Sequence, residues 1–171
     1  VGLYFEYKLY RGNRTTKINA EQFRAFASPN YPILVESGVH LKVMKENLLP
    51  HPVGEKLEVW KEFDTNVAII EMFPGITSQF LEGVFAIEGL KAVVLETSGS
   101  GNAPTNEDFL KVLEGAIGRG IHIVNVTQCS GGSVIMGKYE ASEGLRKMGI
   151  IDGKDITSES AITKLMILLK K

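Results

Sequence analysis

A single cysteine, Cys129, excludes an internal disulfide. Histidine is nearly as scarce, and none of His40, His51 and His122 stands beside Cys129 or a nucleophile pattern at ligand spacing, so all three read as structural and no metal site is implied. Long hydrophobic runs are missing too: none approaches the roughly 20 residues of a membrane helix, which excludes a membrane span. The first residues lack the charged start and small-residue cleavage site of a signal peptide. Charge of one sign is absent, with 19 Lys and Arg against 20 Asp and Glu, and this speaks against nucleic acid or a membrane surface as partner. These absences make a reducing cytoplasm the default compartment. Val1 is not an initiator methionine and opens a strand-like run, so the chain is expected to be part of a longer polypeptide.

What is present is 44% hydrophobic residues in 171, enough for one ordinary core. Val1 to Tyr10 alternate around Glu6, Tyr7 and Lys8, which predicts a hairpin turning there, with a second strand to about Asn13. Arg11, Arg14 and Lys17 form a charge cluster that reads as a solvated face, with a substrate-facing or interdomain patch as the alternative. Asn19 is placed to cap a short helix over Ala20 to Ala27 anchored by Phe23 and Phe26. Residues 31–65 hold Pro32, Pro50, Pro52, Gly38 and Gly54 with no sustained period, the signature of a linker, with an edge strand at Val39 to Val43. Trp60, at helical spacing from Leu57 and Phe63, is expected to pin that linker to a domain.

From Asn66 the pattern becomes regular. Val67 to Met72, Ala92 to Leu95 with Glu96 as its end, and Ile121 to Val126 read as buried strands, and Ile150 with Ile151 as a very short fourth strand. Helices are expected between and after them: one capped by Thr77 or Ser78, one capped by Thr105 with Asp108 three residues on, one over Tyr139 to Met148, and one capped by Thr157. Strands separated by helices require crossovers and a parallel sheet. The predicted fold is therefore α/β: a small parallel four-stranded sheet flanked by helices, Rossmann-like, preceded by a hairpin and helix tail and a linker.

Such a sheet brings the loops Pro74 to Thr77, Thr97 to Pro104 and Thr127 to Gly132 to one edge, where ligands bind in open α/β folds. The middle loop, Thr97-Ser-Gly-Ser-Gly-Asn-Ala-Pro104, is the most informative. It reads as a tight βα connection, as a phosphate or dinucleotide loop, or as a small-molecule site where Asn102 presents an amide that both donates and accepts. Pro104 stands where a third glycine would complete a dinucleotide fingerprint, which argues against the second reading. Cys129 reads as a small packed side chain rather than a nucleophile, since no histidine is placed to activate it.

Arg11-Gly-Asn-Arg-Thr-Thr-Lys17 followed by Phe26-Ala-Ser-Pro-Asn30 and Pro32 resembles the segment preceding the interdomain linker of bacterial asparaginases. Gly99-Ser-Gly-Asn-Ala-Pro104, followed by Asn125-Val-Thr-Gln-Cys129, resembles the C-terminal domain of the cytoplasmic type I L-asparaginases. The likeness runs in order over nearly all of the chain. It implies hydrolysis of L-asparagine to L-aspartate and ammonia, without a cofactor, by a homodimer or homotetramer. The family's Thr-Gly-Gly-Thr nucleophile motif, and its Thr-Asp pair with a lysine, lie in an N-terminal domain and do not occur here. The resemblance makes residues 1–30 the tail of that catalytic domain, 31–65 the linker and 66–171 the C-terminal α/β domain, with no catalytic residue in this stretch.

The same resemblance implies that Asn102 binds substrate in the active site of a neighbouring subunit. Secreted type II relatives add a glutamate from this domain, but no acidic residue lies between Thr127 and Lys138, so that contact is not carried over. Type I relatives bind asparagine at a regulatory site between subunits, near the positions of Glu96 and Cys129. Where this chain has Glu96 one family pattern has arginine, so a cation that would bind the effector's carboxylate is replaced by a like charge.

The alternatives are an asparaginase-like subunit of a tRNA-dependent amidotransferase, and a non-catalytic α/β ligand-binding or dimerisation module. The chain alone is expected to be inactive, because no nucleophile, base and oxyanion site can be assembled from it. Ammonia release from L-asparagine by the purified chain, above a buffer control, would overturn this.

Overall fold

The computed structural model describes residues 1–50, 53–54, 56, 58–137 and 140–171, with only the backbone for 140–142. It divides into two compact units, Val1–Lys61 and Glu62–Lys171.

In the first unit β1 (Gly2–Phe5) and β2 (Lys8–Arg11) pair antiparallel, with Phe5 opposite Lys8. The intervening Glu6 and Tyr7 both take positive φ, 45° and 63°. That is the backbone of the tight turn whose twist matches a hairpin. The hairpin forms where the alternation places it, ending at Arg11 rather than Asn13. The helix expected over Ala20 to Ala27 does not form. Instead β3 (Thr16–Lys17) pairs with β4 (Phe26–Ala27), and the amides of Ile18 and Asn19 both reach the Ala25 carbonyl. Asn19 Oδ1 does accept from the amides of Glu21 and Gln22, at 2.8 Å each, but this closes a local turn that competes with a helix. Phe23, expected as a core anchor, is 87% exposed, while Phe26 packs edge-on against Phe5.

β5 (Val35–Ser37) and β6 (Leu41–Val43) join the same sheet in the order β1-β2-β5-β6, so the expected edge strand is present. The arginine cluster is not uniformly solvated. Arg11 stacks its guanidinium 3.9 Å from the Tyr31 ring centroid and donates to the Asn47 carbonyl at 2.8 Å. Arg14 approaches the same ring at 5.7 Å and donates to the Asn30 carbonyl, and only Lys17 is exposed. Stacking on an aromatic face lets arginine be half-buried while its N–H groups bond carbonyls. Trp60 and Phe63 lie in irregular backbone rather than at helical spacing, 48% and 51% exposed. His51 and Leu57 lie outside the described residues, as does Tyr139.

The second unit is the predicted α/β fold. β7 (Val67–Glu71), β8 (Ala92–Thr97), β9 (His122–Thr127) and β10 (Ile151–Asp152) form an all-parallel sheet in sequential order. α1 (Ser78–Phe85), α2 (Glu107–Gly118) and α3 (Glu140–Lys147) cover one face. There Leu81, Phe85, Phe109, Leu113 and Leu145 pack with Val93, Leu95 and Ile123. α4 (Ser158–Leu168) covers the other, setting Ala161 and Leu165 against Ala92, Val94, Val124 and Val126. The alternation of strand side chains sorts adjacent residues to opposite cores.

Thr77 and Thr157 cap their helices by accepting from the amides of Phe80 and Ser160. Thr105 does not cap α2. Asn106 stands there without a side-chain bond, and Glu107 and Asp108 in the first turn complement the positive end of the helix dipole instead. β8 also continues past Glu96 to Thr97, because Glu96 still pairs in register with Glu71 and Val126.

A polar clasp closes the start of this unit. The buried carboxylate of Asp64 accepts from Lys91 Nζ and, through Oδ1, from the backbone and side-chain amides of Asn66 at 2.9 Å each. The Asp64 amide donates to the Met166 carbonyl of α4 at 2.9 Å. The hydrogen bond from Lys91, then those from Asn66, hold the Asp64 carboxyl below the ordinary carboxylate range. A depressed folded pKa means that the clasp is fully present above the unfolded value of about 3.9 and is lost as pH falls through the folded value. Asp64→Asn is therefore expected to lower Tm at pH 7 and to flatten the loss of stability between about pH 5 and pH 2. Thermal melts across that range check it, and parallel wild-type and variant curves would refute the assignment.

Candidate functional site

The parallel register sets the ends of β7, β8 and β9 side by side, with Thr97 opposite Thr127 and Glu96 between Glu71 and Val126. Gln128 ties the three together. Its amide nitrogen donates from its side chain to the Met72 carbonyl beyond β7 and, at 3.1 Å, to the Glu96 carbonyl of β8. Its backbone amide extends the ladder to the Thr97 carbonyl at 3.0 Å.

The glycine-rich loop folds tightly over this edge. The amides of Gly101 and Asn102 return to the Ser98 carbonyl, and the Ser98 amide donates to the Asn102 carbonyl. Such a reversal needs left-handed backbone, which Gly99 and Gly101 supply with φ of 57° and 109°. The loop is also held from outside. Thr127 Oγ1 donates to the Gly99 carbonyl at 2.6 Å while accepting from the Cys129 amide, and the Ile135 amide donates to the Ser100 carbonyl at 2.9 Å. Gly101 is buried, and a Cβ there would lie 2.8 Å from Val134 Cγ1 and 3.3 Å from Asn125 Nδ2.

Asn102 follows immediately, exposed at the tip of a backbone with little freedom. Its amide can donate and accept toward a polar ligand at the carboxyl edge of the sheet. Glu96 is half-buried one strand position before Thr97, and Cys129, expected as a packed side chain, is instead exposed in the neighbouring loop. Among the described residues, no group of three or more His, Cys, Asp or Glu could hold a metal ion, and no helix is long and apolar enough to cross a membrane.

Residues 66–171 match the Glutaminase/Asparaginase C-terminal domain, and residues 1–49 match Asparaginase, N-terminal. The chain belongs to the glutaminase/asparaginase family. All of it aligns with half of L-asparaginase 1 from Escherichia coli (strain K12) at 43% identity, and 99% of it with 30% of the 60 kDa lysophospholipase of Mus musculus at 38%. The crystal structure of L-asparaginase I from Vibrio cholerae O1 biovar eltor superposes with a TM-score of 0.91 at 36% identity, covering 99% of this chain and 51% of that one. The chain thus spans about half the length of the bacterial asparaginases it matches.

The sequence brings Thr97 and Gln128 to this edge only as members of its loops, with no role of their own, and does not single out Val134. A detectable signal existed for a fourth, Asn125, a polar residue within an otherwise apolar strand of Ile123, Val124 and Val126. Substituting Gly101 with Ala forces a side chain into left-handed backbone and against Val134. The expected cost is about 1–3 kcal/mol for the strained backbone alone, and urea unfolding measures it. A Gly101→Ala chain as stable as wild type would show that the loop is looser than its contacts imply.

Proposed function

We propose that the chain is part of an L-asparaginase, which hydrolyses L-asparagine to L-aspartate and ammonia, and that it supplies a substrate-binding asparagine and oligomer contacts rather than the nucleophile. The observation that carries this reading is Asn102, held out by a pinned glycine loop at the sheet edge of a chain 43% identical, along its whole length, to half of an L-asparaginase. In hydrolysis water adds at the carboxamide carbon, the C–N bond breaks and the nitrogen leaves as ammonia. The threonine motifs that the family resemblance assigns to this chemistry are absent from the chain, whereas an amide that donates and accepts fits the polar ends of asparagine.

In this reading Asn102 enters the active site of a neighbouring subunit in a cytoplasmic homodimer or homotetramer. Symmetric closed assemblies are the common solution when each subunit completes another's site. Residues 1–65 are the end of the catalytic domain and its connection, and Glu96 and Cys129 belong to a regulatory or interface position between subunits. Glu96 repels the carboxylate of an amino-acid effector, so binding of asparagine there is disfavoured.

The test is Asn102→Ala in the complete enzyme. Loss of a substrate hydrogen bond should lower kcat/KM by the equivalent of about 0.5–3 kcal/mol, with Tm unchanged because the side chain is exposed. Unchanged kinetics, or a loss that merely follows unfolding, would make Asn102 a turn residue and remove the reading.

A further inference from the structure

Beneath the glycine loop, Thr97 at the end of β8 and Asn125, two residues before the end of β9, lie on the face that carries α1, α2 and α3, and both are fully buried. The Thr97 hydroxyl donates to Asn125 Oδ1 at 2.6 Å, with the Val126 carbonyl 3.2 Å away. Asn125 is held by its backbone as well. Its carbonyl accepts from the Gly153 amide at 2.9 Å, and Gly153 packs so closely that a Cβ there would lie 2.5 Å from that oxygen.

Its remaining polar atom, Nδ2, is buried without a hydrogen-bond partner among the described residues and lies against Gly101, the residue before Asn102. A role in stability alone does not account for this arrangement. An unmet buried donor weakens a fold, and an apolar side chain of similar size, like those on either side of Asn125, would be the more stable choice.

We propose that Asn125, clamped by Thr97, is a positioning residue for substrate binding: its amide is the floor on which Gly101 rests and sets the direction in which Asn102 presents its own amide. The proposal rests on the substrate role of Asn102. Asn125 itself is buried and does not touch the ligand. Its influence passes through one residue of backbone, whose freedom is already limited by Thr127 on Gly99 and Ile135 on Ser100.

A double-mutant cycle in the complete enzyme tests this, with Asn125→Ala and Asn102→Ala made singly and together and KM, kcat and Tm measured for each. Asn125→Ala should lower kcat/KM about tenfold, mainly by raising KM, and by less than about twofold once Asn102 is already Ala, as for coupled neighbours. A stability effect would persist in both backgrounds. Thr97→Val keeps the side-chain shape and removes only the hydroxyl, so it serves under the same criterion if Asn125→Ala does not fold. An additive cycle with a clear Asn102→Ala loss overturns the positioning role and leaves the proposed function standing. No loss in Asn102→Ala itself overturns both.

Discussion

Burial of β8 on both faces is the constraint from which the rest of the second unit follows. Ala92, Val93, Val94 and Leu95 have no exposed surface, so the strand needs a ladder on each edge and helices above and below. Parallel neighbours supply the ladders, and parallel pairing in turn obliges each connection to cross the sheet. The helices provide that crossing and the two cores at once. Every connection then leaves from the same edge, and polar groups gather where β7, β8 and β9 stop. The site is thus a by-product of satisfying an apolar strand, with Thr97, Asn125 and Thr127 placed at the last positions where the core gives way to loop.

Much of this was legible in the residues, because long regular signals govern it. The four strands, the caps at Thr77 and Thr157 and the convergence of loops all follow from apolar periodicity and capping chemistry. The first unit was less legible. Asn19 and the two phenylalanines have the local spacing of a short helix, but pairing of Thr16–Lys17 with Phe26–Ala27 is a tertiary choice that local pattern does not encode. Thr105 failed as a cap for a related reason: the two acids of the first turn serve α2 without a side-chain bond.

The site divides in the same way. Asn102 stands out in the sequence because its glycines demand special backbone. Its support does not, since the contact between Thr97 and Asn125 joins residues 28 apart, and the packing of Val134 on Gly101 depends on how the next loop folds back. Arg11 and Arg14 carry a comparable lesson. A cluster of cations looks like a solvated face until a distant aromatic ring, here Tyr31, gives the guanidinium planes something to lie on.

The Asp64 clasp reaches back before the first strand of the α/β unit. The family likeness of the second unit begins at residue 66, whereas Asp64 binds Lys91 ahead of β8 and Met166 in α4. Heredity and folding therefore draw the border at different residues. A domain excised at the limit of the family likeness would leave the Lys91 ammonium without its anion and the Met166 carbonyl without its donor. Any graft of this module onto another scaffold has to carry the two residues that precede it.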